Sequence, residues 1–71
     1  MAESVYKVIE LVGASTESWE RAAAAAIERA ALTIRDLRVA EVVELDMQIV
    51  DGQIENYRVK VRVSFKYEDG E

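Results

Sequence analysis

The chain has 71 residues, fourteen of them acidic and nine basic, for a net charge of −5, with no cysteine and no histidine. That composition excludes a disulfide framework, a thiolate or imidazole metal site and a histidine base, and the acidic balance speaks against nucleic acid and anionic membranes as partners. One domain spanning 1–71 is all this length allows. A core this small buries only about 60% of the unfolded surface, so help from other copies is expected.

The first strand is expected over Ser4 to Val12, ended by Gly13. Val5, Ile9 and Leu11 fall on one face and Tyr6, Val8 and Val12 on the other. A strand apolar on both faces is covered on both sides, and a single helix covers only one. A short polar connection from Gly13 to Ser18 follows, with Ser15, Thr16 and Ser18 as candidate helix caps. Glu17 and Glu20 suit the positive end of the helix dipole. Trp19, Ala23, Ala26, Ile27, Ala30, Ile34 and Leu37 then recur at spacings of three and four, one apolar helical stripe that holds the only tryptophan.

A second strand is expected over Val39 to Val50, where Leu45, Met47 and Ile49 alternate with Glu44, Asp46 and Gln48. Asp51-Gly52 signals a hairpin. The third strand, Ile54 to Tyr67, alternates most clearly: Tyr57, Val59, Val61, Val63, Phe65 and Tyr67 against Arg58, Lys60, Arg62, Ser64 and Lys66. A three-residue loop, Asp51 to Gln53, keeps the two faces separate and pairs Val50 with Ile54. In that register Met47 opposes Tyr57, Leu45 opposes Val59, Asp46 opposes Arg58 and Glu44 opposes Lys60. An acidic tail, Glu68 to Glu71, closes the chain. The fold class is therefore α+β: a βαββ order, with a three-stranded antiparallel sheet wrapped around one helix and the last strand central.

Val5 to Ser15, then Ser18-Trp19-Glu20, then Ala26 to Ala30, with the hairpin Asp51-Gly52 and the end Val63-Ser64-Phe65-Lys66, together resemble the dodecin family. The resemblance runs along nearly the whole chain. It implies a βαββ subunit, a hollow homododecamer and a non-enzymatic, ligand-holding role. Most dodecins stack flavins between tryptophans of symmetry-related subunits, in a slot that also holds a glutamine. The matching positions here are Val39 and Arg58, with Asp46 beside Arg58. Valine has no π face, so the resemblance implies that the flavin stack is lost. The stretch Leu37 to Val42 with Glu44, Asp46 and Met47 looks more like the calcium dodecin branch, which implies calcium as the ligand.

Calcium takes six to eight oxygen ligands, commonly carboxylates. Glu44 and Asp46 on the second strand, and Glu17 and Glu20 at the helix start, are the candidates, each pair gathering with its copies around a symmetry axis. The competing reading pairs Glu44 with Lys60 and Asp46 with Arg58 and leaves Glu17 and Glu20 as cap and dipole residues. Three functions follow: a metal-binding shell, a flavin-binding shell with an altered pocket, and a shell that only docks partners. No nucleophile sits beside a base at a telling spacing. The first residues lack a basic and apolar leader, so a cytoplasmic location is expected.

Overall fold

A computed structural model describes residues 3–67; the acidic tail expected over 68–71 lies outside them. Strand β1 spans Tyr6–Ser15, helix α1 Trp19–Ala31, β2 Leu37–Val50 and β3 Gln53–Lys66. The sheet order is β1-β3-β2, both pairings antiparallel, so the last strand is central as the sequence implies.

Gly13 does not end the first strand. β1 runs through it to Ser15, with Gly13 opposite Val59. The reason is packing: a Cβ placed on Gly13 would lie against the Ala22 carbonyl oxygen and 3.1 Å from the Ala26 Cβ. A glycine inside a strand often marks such a close backbone approach. Ser4 and Val5 precede the strand.

Among the candidate caps, Ser18 holds the position: its side chain accepts a hydrogen bond from the Arg21 N–H at 3.1 Å. Ser15 instead accepts from the Glu17 N–H at 2.9 Å. The buried face of α1 is Ala22, Ala26 and Ala30. Ala22 lies off the stripe read from the sequence, and Ile34 and Leu37 do not continue the helix. The chain leaves it at Leu32, turns through Asp36 at φ 61° and places Leu37 in β2. Isoleucine and leucine at helical spacing match the period, but Ile34 lies in the loop after the helix and Leu37 packs from β2.

The inner face of the sheet carries Val59, Val61 and Val63, each 1% exposed, against Ala22 and Ala26. Ile9, Leu11, Trp19, Ala23, Ile27 and Leu37 pack around this cluster. Opposite Val59 and Val61 on β2 stand Leu45 and Val42, and these are each 54% exposed. Geometry explains the contrast. Thirteen helical residues reach about 20 Å, whereas fourteen strand residues reach about 46 Å. The helix sits over β1 and β3 and leaves β2 bare beyond Leu37 apart from the reach of Trp19 to Asp46: no residue of β2 is fully buried. The subunit measures 54 × 20 × 15 Å with a radius of gyration of 14.8 Å. A compact chain of this length would have about 11 Å.

The hairpin differs from the expected one at its tip. Val50 pairs with Gln53, so the loop is the two-residue turn Asp51-Gly52, at φ 53° and 75°. Positive φ at both positions matches the type I′ turn, whose twist suits the strands. The mismatch of faces that this turn creates is cancelled by a bulge at Glu55: Ile49 pairs with Ile54, and then Gln48 with Asn56. Below the bulge every pair expected from the sequence is present, Met47 with Tyr57, Asp46 with Arg58, Leu45 with Val59 and Glu44 with Lys60. Two further bulges, at Val43 and Arg38, shift β2 again, so that Val42 and Ala40 share the inner face with Leu45.

Candidate functional site

The outer face of the sheet, away from α1, is a charge ladder built by register. Arg58 stands opposite Asp46, with its Nε and Nη2 donating to the two carboxylate oxygens at 2.8 and 2.9 Å. Lys60 lies 3.6 Å from Glu44. Arg62 bridges both edge strands, donating to Glu10 on β1 at 2.8 Å and lying 3.8 Å from Glu41 on β2. Gln48 accepts from Asn56 at 3.0 Å. The Arg58 hydrogen bonds hold the Asp46 carboxyl below the ordinary carboxylate range, and those from Arg62 do the same for Glu10, in each case against a smaller opposing effect of burial. The two guanidinium groups are raised in return.

Beyond the ladder, toward the start of β2, the face turns apolar. Ser64 sits between Val8 and Val39, which are 50% and 62% exposed, and its hydroxyl donates to the Val39 carbonyl at 3.5 Å. Val39 and Arg58, the two positions matching the family's flavin slot, are therefore not neighbours. Ser64 and Arg58 are six positions apart on β3, about 20 Å of strand. Any slot using both draws them from different subunits.

The four candidate metal ligands divide in the same way. Glu44 and Asp46 share the outer face. Glu17 and Glu20 lie at the start of α1, on the other side of the sheet, where Glu17 sits 3.7 Å from Arg21 one turn along. Glu20 is exposed in the first turn. Among the described residues no group of three or more acidic side chains is placed to hold a metal ion within one subunit. No polar or charged residue among them is buried.

Two features escaped the reading of the sequence. The Glu10–Arg62–Glu41 bridge needs both edge strands registered on β3; its signal is an arginine centred between glutamates once Ile9 is set opposite Val63. The other is Trp19. It is only half-buried, its ring meets Tyr57 edge-on at 5.1 Å, and its Nε1 donates to the Asp46 carbonyl at 3.1 Å. It thereby ties the helix start to the strand that carries Glu44 and Asp46.

Because the Asp46 carboxylate is favoured by its arginine, its contribution is present above the unfolded carboxylate pKa of about 4 and is lost as pH falls through the lower folded value. Asp46→Asn is expected to flatten the acid limb of the stability curve and to change stability little at neutral pH, since the pair is half exposed. Urea titrations from neutral to acid pH check this. An unchanged acid limb would show that the pair does not persist in solution.

The family comparisons agree with this geometry. A family model described as Dodecin matches residues 5–68. The chain is 51% identical over 63 residues to calcium dodecin of Mycobacterium tuberculosis, covering 89% of each chain. It is 42% identical over 65 residues to dodecin of Thermus thermophilus, covering 92% of this chain and 94% of the relative. Among solved structures, dodecin from Streptomyces coelicolor superposes with a TM-score of 0.91 at 34% identity, covering 99% of this chain and 100% of the other. A crystal structure of the M. tuberculosis calcium dodecin, described as calcium chelating and as having a novel calcium-binding site, superposes with a TM-score of 0.83 at 49% identity, covering 96% and 97%. With a family model matched along almost its whole length, this chain belongs to the dodecin family.

Proposed function

We propose that the chain assembles into a closed shell of twelve copies that binds calcium ions where subunits meet. The observation that carries the assembly is the bare inner face of β2. Val42, Leu45, Met47 and Ile49 are 42–63% exposed in a subunit with no helix left to cover them. A contiguous apolar strand of this kind is an interaction surface. Calcium is supported by the 51% identity to a calcium dodecin and by valine in place of the stacking tryptophan.

Among the described residues no group of three or more acidic side chains gathers in one subunit, short of the six to eight oxygens that calcium takes. The subunit's carboxylates at Glu44 and Asp46 face Lys60 and Arg58, and Glu17 faces Arg21. The ion therefore takes single carboxylates from several copies, with Glu44 and Asp46, or Glu17 and Glu20, as the contributing pairs. The bound calcium would supply positive charge and an oxygen-ordering centre at the contact; the chain's part is to present carboxylates there. Holding and assembly, the role that membership of the dodecin family supports, make this reading one of a binding protein rather than a catalyst.

A ligand that binds only the folded assembly raises its stability, by about 2.7 kcal/mol per site at a hundredfold excess over the dissociation constant. Calcium is expected to raise the melting temperature and a chelator to reverse the rise, with magnesium weaker because it demands a tighter octahedron. Thermal melts of metal-stripped protein, paired with elemental analysis, check this. No calcium dependence would defeat the ion reading and leave the assembly untouched.

Flavin storage is the alternative that the family brings. Val39→Trp with Arg58→Gln is expected to restore quenching of added flavin fluorescence, because it returns an aromatic face and an amide to the two matching positions. If the double variant gains nothing, the Val39 region is not a disabled flavin slot.

A further inference from the structure

The hairpin tip carries a reactive bond. Asp51 is followed by Gly52, both are exposed, and a Cβ built on Gly52 meets nothing within 4 Å. In such a pair the amide nitrogen of the glycine can attack the side-chain carboxyl carbon of the aspartate. A nitrogen–carbon bond forms, the carboxyl hydroxyl leaves with the amide proton as water, and a five-membered succinimide closes. Water then opens either ring carbonyl. One opening restores aspartate; the other sends the main chain through the side chain and gives isoaspartate. No oxidant, reductant or partner other than water is involved. A side chain on the second residue hinders the attack, and glycine has none.

We propose that Asp51 is a site of spontaneous isomerisation to isoaspartate, confined by the Glu55 bulge to the hairpin tip. Only two residue pairs, Val50 with Gln53 and Ile49 with Ile54, hold the tip beyond the bulge. Val50 and Ile54 there are 44% and 50% exposed, whereas Ile49 belongs to the face proposed to be covered on assembly. A segment with so little burial opens locally at low cost, and opening lets Asp51 rotate about its Cα–C and Cα–Cβ bonds to bring the carboxyl carbon onto the Gly52 nitrogen. Isoaspartate lengthens the main chain by one methylene, so the two-residue turn no longer closes Val50 on Gln53. The register restarts at Gln48 and Asn56, so the ladder from there to Leu37 stays in place. The carboxylate survives on the new branch and the net charge is unchanged.

The test ages the full-length folded protein at neutral pH and body temperature in heavy-oxygen water, then digests it with trypsin. Cleavage after Arg38 and Arg58 releases residues 39–58 with Asp51, and cleavage after Lys66 releases 67–71 with a second aspartate–glycine pair, Asp69-Gly70. The expected result is one heavy oxygen at Asp51, growing with time, together with loss of cleavage before residue 51 by an aspartate-specific protease. Asp51→Ser should carry no label in that peptide. Label that has accumulated at Asp69 while Asp51 remains unlabelled and fully cleavable would overturn the proposal, because the same dipeptide would then be protected by its turn.

Discussion

Gly13→Ala is expected to unfold the subunit or to leave it too weak to assemble at room temperature. The added methyl group would meet the Ala22 carbonyl oxygen and carbon, and main-chain atoms of a helix cannot swing aside as a long side chain can. Relief requires lifting α1 from β1, which separates Ala22 and Ala26 from Val59, Val61 and Val63, the whole buried cluster. Overpacking costs typically about 1–3 kcal/mol and more where nothing can yield. A single core of this size supplies only about 3–5 kcal/mol. Gly52 gives the contrast. There a methyl group meets open space, and the cost is that of a left-handed alanine at φ 75°, about 1–2 kcal/mol. Urea unfolding followed by circular dichroism should therefore rank Gly13→Ala far below Gly52→Ala. Equal losses would mean that the helix does not sit on the strand as described.

The two glycines also show how much the sequence disclosed. As letters they look alike, each close behind an apolar strand, and both invite the reading of a chain break. Only the position of the helix backbone, set by long-range packing, separates a glycine that ends a strand from one that lets a helix lie on it. The hairpin is a similar case. Alternation along Tyr57 to Phe65 was strong enough to fix the register of the ladder, because a one-residue slip would turn every valine outward. The same alternation could not distinguish a three-residue loop from a two-residue turn with a bulge at Glu55, since both deliver the same pairs below Gln48. The helix end escaped because Ile34 and Leu37 keep the helical period while lying beyond the helix, in the loop and in β2.

The candidate site was legible only as far as one chain extends. Asp46 with Arg58 and Glu44 with Lys60 followed from register alone. The separation of Val39 from Arg58 follows from the same register, since Val39 lies seven positions from Asp46 along β2. The proposed grouping of acidic residues around an ion does not, since it would depend on contacts between copies and would leave no spacing pattern in a single sequence.

Leu45→Asp is expected to abolish the assembly, and it separates assembly from folding. In the isolated subunit Leu45 is 54% exposed, so a carboxylate there keeps most of its water and should cost little. Inside a covered interface the same carboxylate loses its hydration without a partner, which costs several kcal/mol. Closed symmetry repeats that penalty in every copy. Native mass spectrometry and light scattering should show the wild-type mass near twelve subunits and the variant mass near one. Leu45→Met, which conserves volume and polarity, should keep the large mass. The variant subunit is then stable only to the extent that a core of three valines and two or three alanines allows, so its melt should come early and depend little on protein concentration. A shell that survives Leu45→Asp would show that β2 stays bare in the oligomer. The apolar face that motivates assembly would then need a different cover.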